Sequence, residues 1–325
     1  MSDPKQIARR IFHETLASID IPLAMERRIN RVGQRTCIND WSCDLAGISD
    51  VKVIAMGKAA HCMLSGFVRL FADVAITGVV AAPTPSPNPV SGVAYFLGGH
   101  PLPNEDSIRA AQAALTLLKT ASQNSLVVFL ISGGGSALME SPLSPDLSLD
   151  DIRRLNQLLV TCGASIDEIN TIRKHASAVK GGRLAVAAAS SAKLTLAISD
   201  VPHGKESALA SGPTIPDPTT IADVRRVIDA YHLNDKFPPR VREWFSSPNL
   251  PETPKRDHPA FANSCFSLLL TSHDLFHAAH HAAESHGFIT CCDNTTDDWR
   301  SIAPSNIFSS NSKSSVARIP VGPSP

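Results

Sequence analysis

Apolar residues follow two alternating rhythms along this chain. Short, nearly continuous apolar runs at 51–56, 75–82, 126–131 and 194–198 are separated by longer stretches in which apolar residues recur every three or four positions. Runs of that length predict buried parallel strands, and the stretches between them predict amphipathic helices. Asp3 is placed to cap a first helix with Pro4 at its first position and a stripe of Ile7, Ile11, Phe12, Leu16 and Ile19. A less regular stretch leads to about Asp50. A helix is expected after Gly57 through Leu70, and Pro83 to Pro89 ends the second strand. Asn104 or Ser107 starts a helix with Ile108, Ala111, Leu115 and Leu118 on one face. Ser148 caps another, carrying Ile152, Leu155, Leu158 and Leu159. Ile169, Ile172, Ala176 and Val179 mark the next, stopped by Gly181 and Gly182.

Strands alternating with helices imply βαβ units with right-handed crossovers. The fold class expected is α/β, a doubly wound, mostly parallel, Rossmann-like sheet spanning residues 1–245. Residues 246–259 (SSPNLPETPKRDHP) read as a linker. A strand near Cys265 and a helix from Asp274 would then open a second α/β domain, incomplete over 260–300. Residues 301–325, with eight Ser and four Pro and no hydrophobic period, are expected to form a disordered tail.

Composition narrows the function classes. The chain has 325 residues, with Lys+Arg 30 balanced by Asp+Glu 30, so no excess charge favours nucleic acid or anionic lipid. Hydrophobic residues at 43% suffice for a sizeable core. The seven Cys include no CxxC pair, the pattern of reduced thiols and not of a disulfide framework or zinc site. The N-terminus lacks an apolar signal region and no run approaches a membrane span, so the expectation is a soluble cytoplasmic protein. Oligomeric state is not legible.

Three polar motifs directly follow the three best strands, where open parallel sheets bind ligands. In Met56-Gly57-Lys58, glycine permits a sharp turn and Lys58 can meet an anion, although a loop lysine is ordinarily just a surface lysine. In Ser132-Gly133-Gly134-Gly135-Ser136, consecutive glycines suit close backbone approach with N–H groups turned to an anion, or a tight turn with no ligand. The spacing is neither Walker A nor GxGxxG. Asp200, after Ser199, can bind Mg²⁺, accept a hydroxyl proton, or simply cap a turn. The loop from Ala210 through Ser211 to Thr214 adds further donors. Asn170, Arg173, Ser177 and Lys180 fall on one helical face and, with Lys174, His175 and Arg183, make a local basic patch: a solvated face or a phosphate clamp. His273, His277, His280 and His281 share a helix but lack the other ligands of a metal site.

Five segments taken together, VIAMGKAA, GGHPLPNEDSIRAA, LISGGGSAL, CGASIDEINTIRKHASAVKGGRLA and ISDVPHGKESALASGPTIPDP, resemble the type II glycerate kinases. Members of that family also carry the name hydroxypyruvate reductase. The resemblance runs from about Ile7 to Trp299. It implies a two-domain α/β enzyme that moves the γ-phosphoryl group of ATP in line onto D-glycerate, giving 2-phosphoglycerate with Mg²⁺. By position it makes Lys58 the lysine of the GKAA motif and Asp200 the aspartate of the ISDV motif. It also places Ser132, Gly133, Gly134, Gly135 and Ser136 against phosphate. Arg173 and Lys180 are candidates for substrate or phosphate contact on periodicity alone. Family members continue into a second half, the MOFRL region, which contributes an arginine; here the resemblance stops near Trp299, as if the chain were cut short. A nicotinamide-dependent hydroxypyruvate reductase and a non-catalytic remnant that only binds an anion or glycerate are the rival expectations, the first lacking its dinucleotide fingerprint.

Overall fold

The computed structural model describes residues 3–188, 190–202 and 204–290. The expected tail at 301–325 and the end of the expected 260–300 unit, with Cys291 and Cys292, lie outside the described residues. In chain order the elements are helices α1 (Pro4–Ser18) and α2 (Ile21–Arg28), strands β1 (Asn30–Val32), β2 (Arg35–Ile38), β3 (Trp41–Asp44) and β4 (Asp50–Met56), and helix α3 (Ala60–Leu70). Strands β5 (Ile76–Ala82) and β6 (Val93–Leu97), helix α4 (Glu105–Lys119) and strand β7 (Ser125–Ile131) follow. Helices α5 (Gly135–Leu138), α6 (Leu149–Thr161), α7 (Ile166–Ala176) and α8 (Arg183–Ala187) precede β8 (Ala192–Ser199). Helices α9 (Ile221–Ala230) and α10 (Pro239–Ser246), strand β9 (Ser264–Thr271) and helix α11 (Ser272–Ser285) complete the described chain.

Among the described residues the main sheet has six strands in the order β6-β5-β4-β7-β8-β9. Every neighbouring pair is parallel. The chain therefore steps outward from β4 to β5 and β6, returns to the other side of β4 as β7, and continues outward through β8 and β9. The winding reverses between β4 and β7, and crevices at such reversals are where open α/β sheets bind ligands. β7 is buried at every position, because apolar clusters cover both faces. Val53, Ala55, Phe67, Val128 and Leu130 pack on one side, and Ile54, Ala111, Leu118, Phe129 and Ile131 on the other. A third cluster joins α6, α7, α9 and α10 through Leu155, Ile172, Val227 and Val241.

Two expectations are corrected. The strand near Cys265 does not open a second sheet: β9 pairs with β8 and forms the edge of the first one, with a register slip between Ala197 and Ile198. The segment read as a linker is anchored, with Thr253 buried and the carbonyl of Pro254 accepting from the Asp217 amide. By composition alone it reads as a linker, whereas tertiary hydrogen bonds satisfy polar groups of the segment. The described residues divide into two compact units, one of residues 20–272 and one of residues 3–19 with 273–290. Within the second unit, Glu14 and His286 lie 2.8 Å apart, and Phe12 and Leu16 of the expected apolar stripe remain exposed.

Three strands went unread in the less regular stretch. β1, β2 and β3 form a small antiparallel sheet, whose strands of three or four residues are too short for a period to stand out. The helix marked by Ile169 to Val179 ends at Ala176, with Ser177 extended.

Replacing Phe129, which is fully buried, by Ala should cost about 3–5 kcal/mol of stability, read as a lower urea midpoint at unchanged m-value. A pH effect is expected at Glu252. Burial alone would raise its carboxyl, but contacts with His175, Lys255 and the amides of Ile221 and Thr253 outweigh that and bring it down to about 2. That lies below the roughly 4.3 of an unfolded glutamate, so its contribution is complete above the unfolded value and is lost as pH falls toward 2. The Tm difference between the wild type and Glu252→Gln should therefore narrow across that acid range.

Candidate active site

The carboxyl ends of β4 and β7 are stitched together before any charged group is considered. The Ser132 amide donates to the Met56 carbonyl over 3.0 Å and the Lys58 amide to the Gly133 carbonyl over 2.9 Å. Ser132 Oγ accepts from the Ala59 amide at 3.0 Å. Gly57 has φ +120°, and a Cβ there would stand 2.2 Å from Ser132 Oγ. A glycine is required by both conformation and space.

The loop after β8 closes on the same point. A Cβ on Gly133 would lie 2.6 Å from Asp200 Oδ2, and one on Gly134 would lie 3.1 Å from the His100 ring and 3.4 Å from Lys58 Cγ. Lys58, His100, Gly133, Gly134 and Asp200 thus converge although they come from four separate segments. Lys58 and Asp200 are exposed while Ser132 is buried, so opposite charges sit at the mouth above a backbone floor. Among the described residues nothing accepts from the N–H groups of Gly133, Gly134 or Ser136. Such unpaired amides beside a lysine suit a phosphate. Burial, and then the Lys58 ammonium, push the His100 imidazole below its ordinary 6.5.

Hydrogen bonds carry the site inward. Ser136 Oγ is 3.0 Å from Ser211 Oγ, which donates to Asn170 Oδ1 over 2.9 Å. Ser211 and Ala210 both adopt positive φ, 60° and 48°, conformations that cost energy in non-glycine residues and are held here by burial.

The structure redraws the basic patch. Ser177 and Lys180 lie beyond the end of α7. Lys180 is buried, and its ammonium is bonded to Glu140, which also accepts from Ser177 Oγ. Burial lowers the Lys180 ammonium while Glu140 opposes the shift, so its charge is engaged in a buried ion pair and does not stand on a solvated face. Lys174 is likewise buried, 3.1 Å from Asp217, and His175 is fully enclosed. The Lys174 and His175 side of α7 is packed interior, not a solvated surface, because α9 and the 252–255 segment cover it. Arg173 differs: its Nε donates to Asn156 Oδ1 over 2.7 Å, and its terminal amino groups have no partner among the described residues. Sequence reasoning missed His100 and Glu140, neither of which has a partner at a diagnostic spacing.

No set of three or more His, Cys, Asp or Glu among the described residues could hold a metal ion. A Mg²⁺ shared with phosphate oxygens needs only one or two protein carboxylates, and exposed Asp200 beside the free Gly133 amide fits that requirement. No helix among the described residues is long and apolar enough to cross a membrane.

The fold is a doubly wound α/β sheet with glycine-rich loops at the strand ends where its winding reverses, the place at which open α/β sheets bind ligands. Residues 7–246 match the family model described as a domain of unknown function, DUF4147, and the chain belongs to that family. A putative hydroxypyruvate reductase of Agrobacterium vitis is 37% identical over 77% of this chain and 53% of its own length. A glycerate 2-kinase of Pyrococcus horikoshii is 37% identical over 74% of this chain and 53% of its own length. The crystal structure of a glycerate kinase from Thermotoga maritima superposes with a TM-score of 0.70 at 30% identity, covering 87% of this chain and 63% of that one. The chain spans about half the length of the curated relatives it matches.

The convergence predicts a titration. Followed by NMR, His100 should titrate below 6.5, and Lys58→Met should move its midpoint upward by removing a neighbouring positive charge.

Proposed function

We propose that this chain carries the phosphoryl-transfer site of a glycerate kinase, moving the γ-phosphoryl group of ATP to the 2-hydroxyl of D-glycerate. The observation that carries the reading is the meeting of Lys58, the unpaired Gly133, Gly134 and Ser136 amides, and Asp200 at the reversal of the sheet. The names of the Pyrococcus and Thermotoga relatives support it.

Phosphoryl transfer asks a protein for positioning and charge stabilisation. Lys58 neutralises charge on the phosphoryl oxygens, and the glycine amides hold phosphate with donors that need no reorganisation. Asp200 is the exposed carboxylate of the set and would hold Mg²⁺, which supplies charge neutralisation across the phosphates, or take the proton of the attacking hydroxyl. The magnesium dependence of the residual rate in Asp200→Asn separates the two roles: a raised magnesium requirement marks a ligand, and an unchanged one marks a base. Burial and the Lys58 ammonium both disfavour the charged form of His100.

Phosphorus NMR of the protein with magnesium-ATP and D-glycerate tests the reading, the expected product being 2-phosphoglycerate. Lys58→Ala and Asp200→Asn should each lower kcat/KM by about a hundredfold or more with unchanged circular dichroism. A variant retaining the full rate removes that residue from the site. Oxidation of a nicotinamide cofactor by hydroxypyruvate, with no phosphorylated product, would replace the kinase reading with the reductase one.

A further inference from the structure

The patch on α7 contains two side chains that are held at one end and free at the other. Asn170 is buried, and the donation from Ser211 Oγ to its Oδ1 directs its Nδ2 hydrogens away from Ser211. That Nδ2 has no acceptor among the described residues. Arg173 lies three residues further along the same helix, on the same face. Its Nε is engaged by Asn156 Oδ1, an interior side chain of α6, which fixes the plane of the guanidinium and leaves the terminal fork open. Burial lowers the Arg173 pKa and Glu140 opposes that fall. Glu140 is already taken by Lys180, Ser177 and the Ser141 amide, so the Arg173–Lys180–Glu140 group keeps one uncompensated positive charge in a partly desolvated place. An anion there completes the electrostatics.

The pair is tied to the phosphate cradle. Asn170, Ser211 and Ser136 form a chain of two hydrogen bonds, 2.9 and 3.0 Å, ending in the SGGGS loop. A small ligand meeting Asn170 and Arg173 is thereby adjacent to a phosphate lying on that loop. The free donors comprise an amide NH₂, matched to a hydroxyl oxygen, and a guanidinium fork, matched to a carboxylate.

We propose that Asn170 and Arg173 form the acceptor subsite of the cleft: Arg173 takes the carboxylate of a small 2-hydroxy acid and Asn170 Nδ2 donates to its hydroxyl oxygen. Ser211 and Asn156 are positioning residues that orient this pair. Lys180, ion-paired with Glu140 in the interior, contributes charge to the group. The proposal rests on the kinase reading and extends it by naming what selects the acceptor.

Binding to the intact chain, measured by titration calorimetry separately for D-glycerate, glycerol, 3-hydroxypropionate, inorganic phosphate and magnesium-ATP, tests it without needing turnover. The wild type should bind D-glycerate, bind 3-hydroxypropionate (no 2-hydroxyl) more weakly, and fail to bind glycerol (no carboxylate). Arg173→Lys, which keeps the charge but loses the anchored fork, and Asn170→Asp, which turns a donor into a repelling acceptor, should each weaken D-glycerate by about tenfold or more while magnesium-ATP affinity holds. Ser211→Ala should weaken 2-hydroxy acid binding and narrow the preference for D-glycerate over 3-hydroxypropionate, which a purely structural loss would not do. Melting curves identify any variant that fails to fold, in which case the remaining two decide. Unchanged D-glycerate affinity in folded variants overturns the subsite and leaves the kinase reading standing. Loss of magnesium-ATP or phosphate affinity instead of D-glycerate affinity makes the pair a phosphate clamp and also overturns it. A wild type that binds magnesium-ATP but none of the hydroxy acids overturns the subsite and the choice of glycerate as acceptor together.

Discussion

The central strands β4, β7 and β8 are covered on both faces, and the rest of the molecule is arranged around that burial. A strand with no wet face carries charged side chains toward its ends, where partners or water can reach them. At the amino ends, Lys52 pairs with Asp50, and Lys193 donates to the Ser191 carbonyl with burial bringing it down to about 8. At the carboxyl ends the same constraint delivers Lys58, Ser132 and Asp200 to one edge. Because all three strands are parallel, their carboxyl ends coincide, and residues far apart in sequence become neighbours without any long-range contact designed for each pair.

Close approach of the 56–59 and 132–133 segments leaves no room for a side chain between them. The backbone bonds joining these segments exclude a Cβ at Gly57, and one at Gly133 would displace the Asp200 carboxylate. The glycines therefore serve two purposes: they let the loops dock, and they leave amides uncovered. Reversal of the winding between β4 and β7 opens the crevice above that docked pair, since the connecting helices depart to opposite sides.

Around the site, buried charge is paired and not solvated. Glu140 with Lys180 and Lys174 with Asp217 are enclosed ion pairs, which lock the end of α7 and the 177–183 loop to their neighbours more than they stabilise the fold outright. Removing one partner of such a pair is costly, so the arrangement is rigid. Asn170 and Arg173 stand out against it because the Asn170 amide nitrogen and the Arg173 terminal amino groups have no partner among the described residues. The chain spans about half the length of the curated relatives it matches.

The alternation of apolar runs with amphipathic stretches determined by itself the α/β class, the parallel sheet and the position of the glycine-rich and polar motifs at strand ends, because strand burial and helix amphipathicity are written in local periodicity. The GKAA, SGGGS and ISDV segments were legible for the same reason: each follows a strand that announces itself. Tertiary structure alone decided the rest. The place of β9 in the first sheet depends on pairing with β8 across more than sixty intervening residues, and the β1–β3 meander is too short to register. The fate of the basic residues around α7 was also hidden, since spacing shows which side chains share a face but not what covers that face. Whether a lysine is a ligand or half of a buried ion pair depends on a partner such as Glu140, forty residues away from Lys180, and no local pattern records that distance closing.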